Sequence, residues 1–285
     1  MLVIEIFAAL LFIYILLNTF LFPKETVKMV FVNGGRYKMG KEIGFEAERS
    51  VHVVYLESFW IGKYEVTQQE WEIIMTENPS VFNGKHKPVD NVSWYDAVKF
   101  CNRLSEREGL NPVYDINRYD VTCDFSKNGY RLPTEAEWEF AARGGLLSKG
   151  YLYSGSNSHH SVAWFGTGEE NAITHPVGKK EPNELGLYDM SGNVSEWCWD
   201  YYDVNFYRYC KFRNIWNVKG PEKGEFRVLR GGDVMNPLTH LLTTTRSYGT
   251  PVAAPQDKRV GLRLARTPEG PLSLGIIKRI FVKGE

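Results

Sequence analysis

Asp189, Gly192, Asn193 and Glu196 fall within one short stretch, Asp-Met-Ser-Gly-Asn-Val-Ser-Glu. Two carboxylates, an amide and loose backbone carbonyls in one turn suit a hard, oxygen-ligated cation such as Ca²⁺. A loop held by its own side-chain hydrogen bonds, with Trp197 and Trp199 as core, accounts for the same residues. A second group is Arg131 with Glu135 and Glu137 in Arg-Leu-Pro-Thr-Glu-Ala-Glu. It reads as ion pairs and a helix cap; an acid–base pair would need a pocket around it. The thiols are sparse. Cys101 and Cys198 sit among apolar residues and read as core, whereas Cys123 and Cys210 lie in loop-like stretches. In an oxidising compartment those two could pair, but spacing does not fix connectivity. No cysteine spacing makes a zinc knuckle. Of the six histidines, only His159 and His160 are adjacent. They stand in a Ser/Asn loop and read as solvated.

The elements that position these groups have clear signals. Thr67-Gln-Gln-Glu70 is a capping box, predicting a helix through Trp71, Ile74 and Met75 that stops before Pro79. Ser93-Trp-Tyr-Asp96 opens a second helix, with Trp94, Ala97, Val98, Cys101 and Leu104 at helical spacing and Gly109 as its end. Thr134-Glu-Ala-Glu137 opens a third, which stops at Gly144-Gly145. Short β-like runs occur at residues 29–32, 51–54, 227–229 and 260–264. The pattern predicts an α+β domain with modest regular structure and long packed loops.

Residues 1–22 read MLVIEIFAALLFIYILLNTFLF and are interrupted only by Glu5, Asn18 and Thr19. About 20 apolar residues cross a bilayer. With no basic start and no small-x-small site, the run reads as one N-terminal transmembrane helix rather than a cleaved signal. Lys24 and Lys28 are offset by Glu25, so orientation is not specified; the domain is expected outside the cytoplasm. Residues 27–267 show no linker and no repeat and read as one domain. Residues 268–285 form a short basic, apolar tail.

Composition supports this outline. The 285 residues carry 34 basic and 34 acidic side chains, so there is no bulk basic field to hold a nucleic acid. Aromatic residues make up 14% of the chain, beside 26 glycines, which suits a loop-rich domain built on large rings.

Several stretches carry a family resemblance. They are Phe31-Val-Asn-Gly-Gly-Arg-Tyr-Lys-Met-Gly40, Tyr64-Glu-Val-Thr67, Pro88-Val-Asp-Asn-Val-Ser-Trp94, Gly129-Tyr-Arg-Leu-Pro-Thr-Glu-Ala-Glu-Trp138, Gly186-Leu-Tyr-Asp-Met-Ser-Gly-Asn-Val-Ser-Glu-Trp197, Arg227-Val-Leu-Arg-Gly-Gly232 and Gly261-Leu-Arg263. In this series, from about Met29 to Arg266, the chain resembles the formylglycine-generating enzymes, or sulfatase-modifying factors. The resemblance implies an elaborated C-type-lectin-like fold. It implies a calcium held by Asp189, Gly192, Val194 and Glu196, the middle two through backbone carbonyls. A second family calcium site, near residues 161–170, lacks its Asn, since Val162 or Ala163 stands there. The family's oxidase binds Cu(I) through two cysteines that follow the Gly-Gly pair, because a soft ion takes thiolates. Here Asn236 and a residue near Leu241 occupy those positions, and no cysteine follows Cys210. Copper and formylglycine chemistry are therefore not expected. Neither is the histidine-bound iron of other members.

The stretch from Asp233 to Lys258 departs furthest from the family pattern, and in such a fold it lies at the enzyme's active face. A retained scaffold with an altered surface is what a binding module would show. Drift of a dead active site explains the same departure. Some members of the family are display proteins that vary in this stretch. The candidate ligand face comprises Asp233, Met235, Asn236, His240, Thr244, Arg246 and Tyr248. The expectation is a membrane-anchored, non-catalytic bacterial domain that binds a ligand or partner protein. The alternative is an enzyme of the same family with another chemistry, such as protein maturation.

Overall fold

The computed structural model describes residues 26–166, 172–213, 215–252 and 259–270. The expected membrane segment at 1–22, the end of the 233–258 stretch and most of the 268–285 tail lie outside the described residues. Among the described residues no helix is long and apolar enough to cross a membrane.

Three helices begin where their caps predict. In α1 (Gln68–Met75) the Thr67 hydroxyl accepts from the Glu70 amide, and the Glu70 carboxylate accepts from the Thr67 amide at 2.8 Å. In α2 (Trp94–Arg107) the Ser93 hydroxyl accepts from the Asp96 amide, and Gly109 follows the helix with φ +70°. α3 (Glu135–Ala142) has a second reciprocal box between Thr134 and Glu137. Such caps satisfy amides that the first turn leaves open, worth about 1 kcal/mol each. Two short helices, α4 (His159–Val162) and α5 (Phe206–Cys210), complete the helical content among the described residues, besides three 3₁₀ turns.

The strands form small sheets. β1 (Met29–Val32), β4 (Phe59–Gly62), β13 (Ala265–Arg266) and β7 (Tyr130–Arg131) make one antiparallel sheet in that order, so the end of the domain is stitched between its beginning and its middle. β11 (Ser247–Gly249), β10 (Arg227–Arg230), β8 (Ser195–Tyr201) and β12 (Val260–Gly261) make a second, in which β12 runs parallel to β8. β2 (Gly35–Met39) pairs with β3 (His52–Leu56), and β3 pairs in parallel with β9 (Ile215–Trp216). β5 (Tyr114–Asn117) and β6 (Asp120–Cys123) form a hairpin. The expected strand at 260–264 is two strands, because the chain leaves one sheet after Gly261 and enters the other at Ala265.

Part of the aromatic excess fills the interior, while rings such as Tyr119 and Phe212 remain exposed. Trp94, Trp138 and Trp197 are fully buried. Their indole N–H groups donate to the Cys198 carbonyl, the Glu196 carboxylate and the Val92 carbonyl, so no buried ring polarity is left open at these three. One apolar cluster packs α1 and α2 against Trp197 and Leu262; the other packs α3 against β2, β3 and β4.

Candidate functional site

The Asp189–Glu196 stretch is a turn feeding directly into β8. Asp189, Gly192 and Asn193 all take positive φ, of 57°, 86° and 69°. A Cβ on Gly192 would stand 1.9 Å from the Trp164 carbonyl oxygen, so glycine is required there. Glu196 has left the turn and lies on β8. Its carboxylate accepts from Arg263 Nη2 at 2.7 Å, from Arg263 Nε at 3.0 Å and from Trp138 Nε1 at 2.7 Å. Asp189 Oδ2 accepts from the Gly178 amide at 2.7 Å, while Oδ1 is buried without a partner. Burial pushes the Asp189 carboxyl up to about 6. Asn193 Nδ2 donates to Glu65 Oε2 at 2.6 Å, and Asn193 Oδ1 accepts from the His175 amide at 2.9 Å. Glu65 also accepts from the Val194 amide. Burial, then Asp189 and Glu196, push its carboxyl well above the usual range.

The turn thus carries Asp189 and Asn193, β8 rather than the turn carries Glu196, and Glu65 and Arg263 are additions from elsewhere in the chain. Both additions sit inside family stretches, in Tyr-Glu-Val-Thr and Gly-Leu-Arg, but spacing alone did not place them here. Three carboxylates face one guanidinium, and the orphaned Asp189 Oδ1 is an acceptor that a hard cation would satisfy. Among the described residues no group of three or more His, Cys, Asp or Glu side chains is arranged to hold a metal. A cation here would therefore rest on Asp189 and backbone carbonyls, sharing Glu196 with Arg263.

The described part of the Asp233–Lys258 stretch divides into interior and surface. Asp233 is fully buried. Its carboxylate accepts from the Met235 amide at 2.8 Å and from the Ser195 hydroxyl at 3.3 Å. Thr244 is buried and donates to Glu48 Oε2 at 3.0 Å. Arg246 is buried and pairs with Glu135, Nε to Oε1 at 2.6 Å. These three hold the loop from within, so their side chains are not surface contacts. Met235, Asn236 and His240 are half-buried, and Tyr248 is 45% exposed. The Tyr248 ring rests on Tyr202 and Phe226, and the His240 ring meets Phe45, itself 49% exposed. Of the seven candidates, Met235, Asn236, His240 and Tyr248 keep surface exposure, and Phe45 lies beside His240. Phe45 lies far away in sequence, and no local pattern marked it.

No thiol chemistry is poised here. Asn236 Oδ1 accepts from the Asp233 amide, and Leu241 is fully buried among Tyr153, Val162 and Ala163. All four cysteines are free. Burial pushes the Cys123 thiol up to about 12 and the Cys210 thiol up to about 11, and raises those of Cys101 and Cys198 as well. That is the reverse of an activated thiolate.

Arg131 and Glu137 form a two-pronged pair at 2.7 and 2.8 Å inside the α3 capping box, a structural role. The His159 and His160 rings meet each other at a tilt, and both contact Phe165, His159 edge-on.

Comparison with known proteins gives a consistent picture. Residues 20–268 match the family described as the Sulfatase-modifying factor enzyme 1-like domain. The chain is 44% identical over 205 residues to the chaperone protein LppX of Paenibacillus barcinonensis, covering 61% of this chain and 71% of that one. It is 30% identical over 255 residues to the formylglycine-generating enzyme of Mus musculus, covering 75% of this chain and 68% of that one. It is 34% identical over 220 residues, 73% of this chain, to the serine/threonine-protein kinase pkn1 of Chlamydia caviae, but spans only about a third (34%) of that protein's length. Among solved structures, Treponema denticola variable protein 1 superposes with a TM-score of 0.74 at 34% identity, over 84% of this chain and 95% of that one.

Proposed function

The chain belongs to the sulfatase-modifying-factor family, and on that premise we propose that it is a non-catalytic binding protein rather than an oxidase. Its partner is a polypeptide, met by the surface that Met235, Asn236, His240 and Tyr248 present. Residues 1–22 anchor it in a membrane, and the domain, an elaborated C-type-lectin-like fold, stands outside the cytoplasm. The observation that carries the reading is the pair of positions where family oxidases keep their copper-binding thiols. One holds Asn236, which caps its own turn; the other falls near Leu241, which is buried in an apolar cluster, and no cysteine follows Cys210 in the chain. A soft cuprous ion has no thiolate there to bind.

Two likenesses support a binding role. One similar structure is a protein named for variability, and one relative is named a chaperone. The chaperone likeness favours a second reading, in which the bound polypeptide is a protein whose folding this domain assists. The kinase activity in the name of the chlamydial relative is not carried over to this chain.

Calcium is proposed at the Asp189–Glu196 turn, on Asp189, the carbonyls of Gly192 and Val194, and Glu196. Bound there, it would supply positive charge to a buried acidic cluster and brace the turn beneath the face. Copper is excluded from the proposal.

The test of the non-catalytic reading uses the full chain with Cu(I) and a cysteine-containing sulfatase peptide, read by mass spectrometry. Unchanged peptide is expected, with a family oxidase as the positive control. Formylglycine product above the protein-free blank would overturn the reading.

A further inference from the structure

A cavity of about 720 Å³ opens on a different part of the molecule. Its walls come from the β3–β4 turn, the segment between β6 and β7, the chain just after β9 and the residues that follow β13. No residue of the Asp189–Glu196 turn or of the 233–252 stretch lines it. The volume is that of an ordinary small-molecule site.

Its chemistry is specific. Leu56, Phe125 and Pro268 supply apolar wall. Lys219 is exposed, and its ammonium lies 4.1 Å from the Phe125 ring centroid. Arg131 is 2% exposed and lies 5.0 Å from the same ring. Both Arg131 Nη groups are spent on Glu137, but the buried Nε–H has no partner. An unmatched buried donor costs about 1–3 kcal/mol, so a ligand that satisfies it is favoured. The charges lining the cavity narrow the ligand further. Glu137 cancels Arg131, while Glu57 and Glu269 stand against Lys127 and Lys219. A balanced lining admits a single negative charge better than the double charge of a phosphate.

We propose that this cavity binds small organic monocarboxylates with an apolar body. The carboxylate accepts from Lys219 Nζ and Arg131 Nε, and the apolar part lies along Phe125 and Leu56. The ammonium, now held over an aromatic face, exchanges part of that contact for a charge-assisted hydrogen bond, the stronger of the two. Arg131 sits in one of the stretches shared with the family, yet its ion pair with Glu137 accounts for only two of its three nitrogens.

The experiment titrates phenylacetate, a minimal member of the class, into the full chain and follows it by ligand-observed NMR, with phenylacetamide as the neutral match. Saturable binding with a millimolar dissociation constant is expected, and the amide should bind about tenfold more weakly. Lys219→Ala should weaken phenylacetate binding by about tenfold and Lys219→Arg by no more than about threefold, with thermal melting unchanged in both. No saturable binding by the parent, equal binding of the amide, or binding indifferent to Lys219→Ala would each overturn the proposal.

Discussion

The guanidinium of Arg246 and the carboxylate of Glu135 meet along two parallel bonds, Nε to Oε1 at 2.6 Å and Nη2 to Oε2 at 2.9 Å. The pair ties the loop that carries the candidate face to the first residue of α3. It continues inward: Arg230 lies 3.7 Å from Glu135 and pairs with Glu139, which Arg143 also reaches at 2.8 Å. Three cations and two carboxylates therefore alternate through the interior. The pair is fully desolvated, so removing one member strands the other. Arg246→Met should lower stability to denaturant by about 3–5 kcal/mol. Adding Glu135→Gln should recover part of that loss, since the pair acts as a unit. Equal losses that simply add would show that the two residues do not couple.

His52 gives a pH dependence of definite sign. Its ring is buried against Tyr207 at 4.7 Å, and Nε2 has no partner. Burial lowers its pKa from the ordinary value of 6.5, while Glu139 and Glu135 oppose that shift and Arg246 adds to it. The unfolded chain then takes up a proton at this site before the folded one does. Stability from this group is complete above about 6.5 and is lost as pH falls toward the lowered folded value. His52→Phe keeps the ring contact and removes the titration. Melting curves should therefore fall less steeply as pH drops below about 6.5 in the variant than in the parent. Parallel curves would rule out His52 as a source of acid sensitivity.

Gly192 tests the turn without touching a charge. Its φ of 86° and the approach of the Trp164 carbonyl leave no room for a methyl group. The amide of Asn193 donates to that same carbonyl at 3.0 Å, so the two segments cannot simply separate. Gly192→Ala should cost about 3 kcal/mol or more, through both strain and a broken turn. Gly109→Ala is the comparison. It carries a similar φ but has open space around it, and should cost only about 1 kcal/mol.

What the sequence made legible was local. Thr67, Ser93 and Thr134 announced three helices, because a cap and its partner lie within one turn of each other. The family stretches fixed the scaffold around them. Roles set by distant contacts were not legible. Asp233, Thr244 and Arg246 belong to the departing stretch, but their partners are Ser195, Glu48 and Glu135, 38, 196 and 111 residues away. Nothing local distinguishes them from Tyr248, which the structure leaves exposed. Glu196 is a similar case: its spacing from Asp189 suggested one loop, yet strand β8 carries it to Arg263.

The face makes a prediction that separates surface from support. Tyr248→Ala removes an exposed ring from a partly covered aromatic cluster and should cost no more than about 1–2 kcal/mol of stability. A polypeptide partner that contacts this ring should lose affinity by about tenfold or more, since tyrosine is a preferred anchor at interfaces. Arg246→Met would reduce binding only by unfolding the loop, and so would lower melting temperature in proportion. A Tyr248→Ala variant that binds its partner as the parent does would move the contact away from this end of the face.

Calcium at the Asp189 turn should announce itself in stability before it does so in function. A ligand that binds only the folded state at about a hundred times its dissociation constant adds roughly 2.7 kcal/mol. For a domain of this size that is a rise in melting temperature of roughly 5–10 °C over the same protein in chelator. Asp189→Asn keeps an acceptor for the Gly178 amide but removes the charge, and should abolish the calcium-dependent rise. Glu196→Gln should behave differently. It unpairs the buried Arg263, so it should lower the melting temperature with or without calcium, by about 3–5 kcal/mol of stability. The contrast between the two variants is the informative measurement, because Asp189 Oδ1 alone keeps a buried oxygen for the ion while Glu196 already serves an ion pair. A parent protein whose melting is the same in calcium and in chelator would leave Asp189 as a buried acid with no cation to hold.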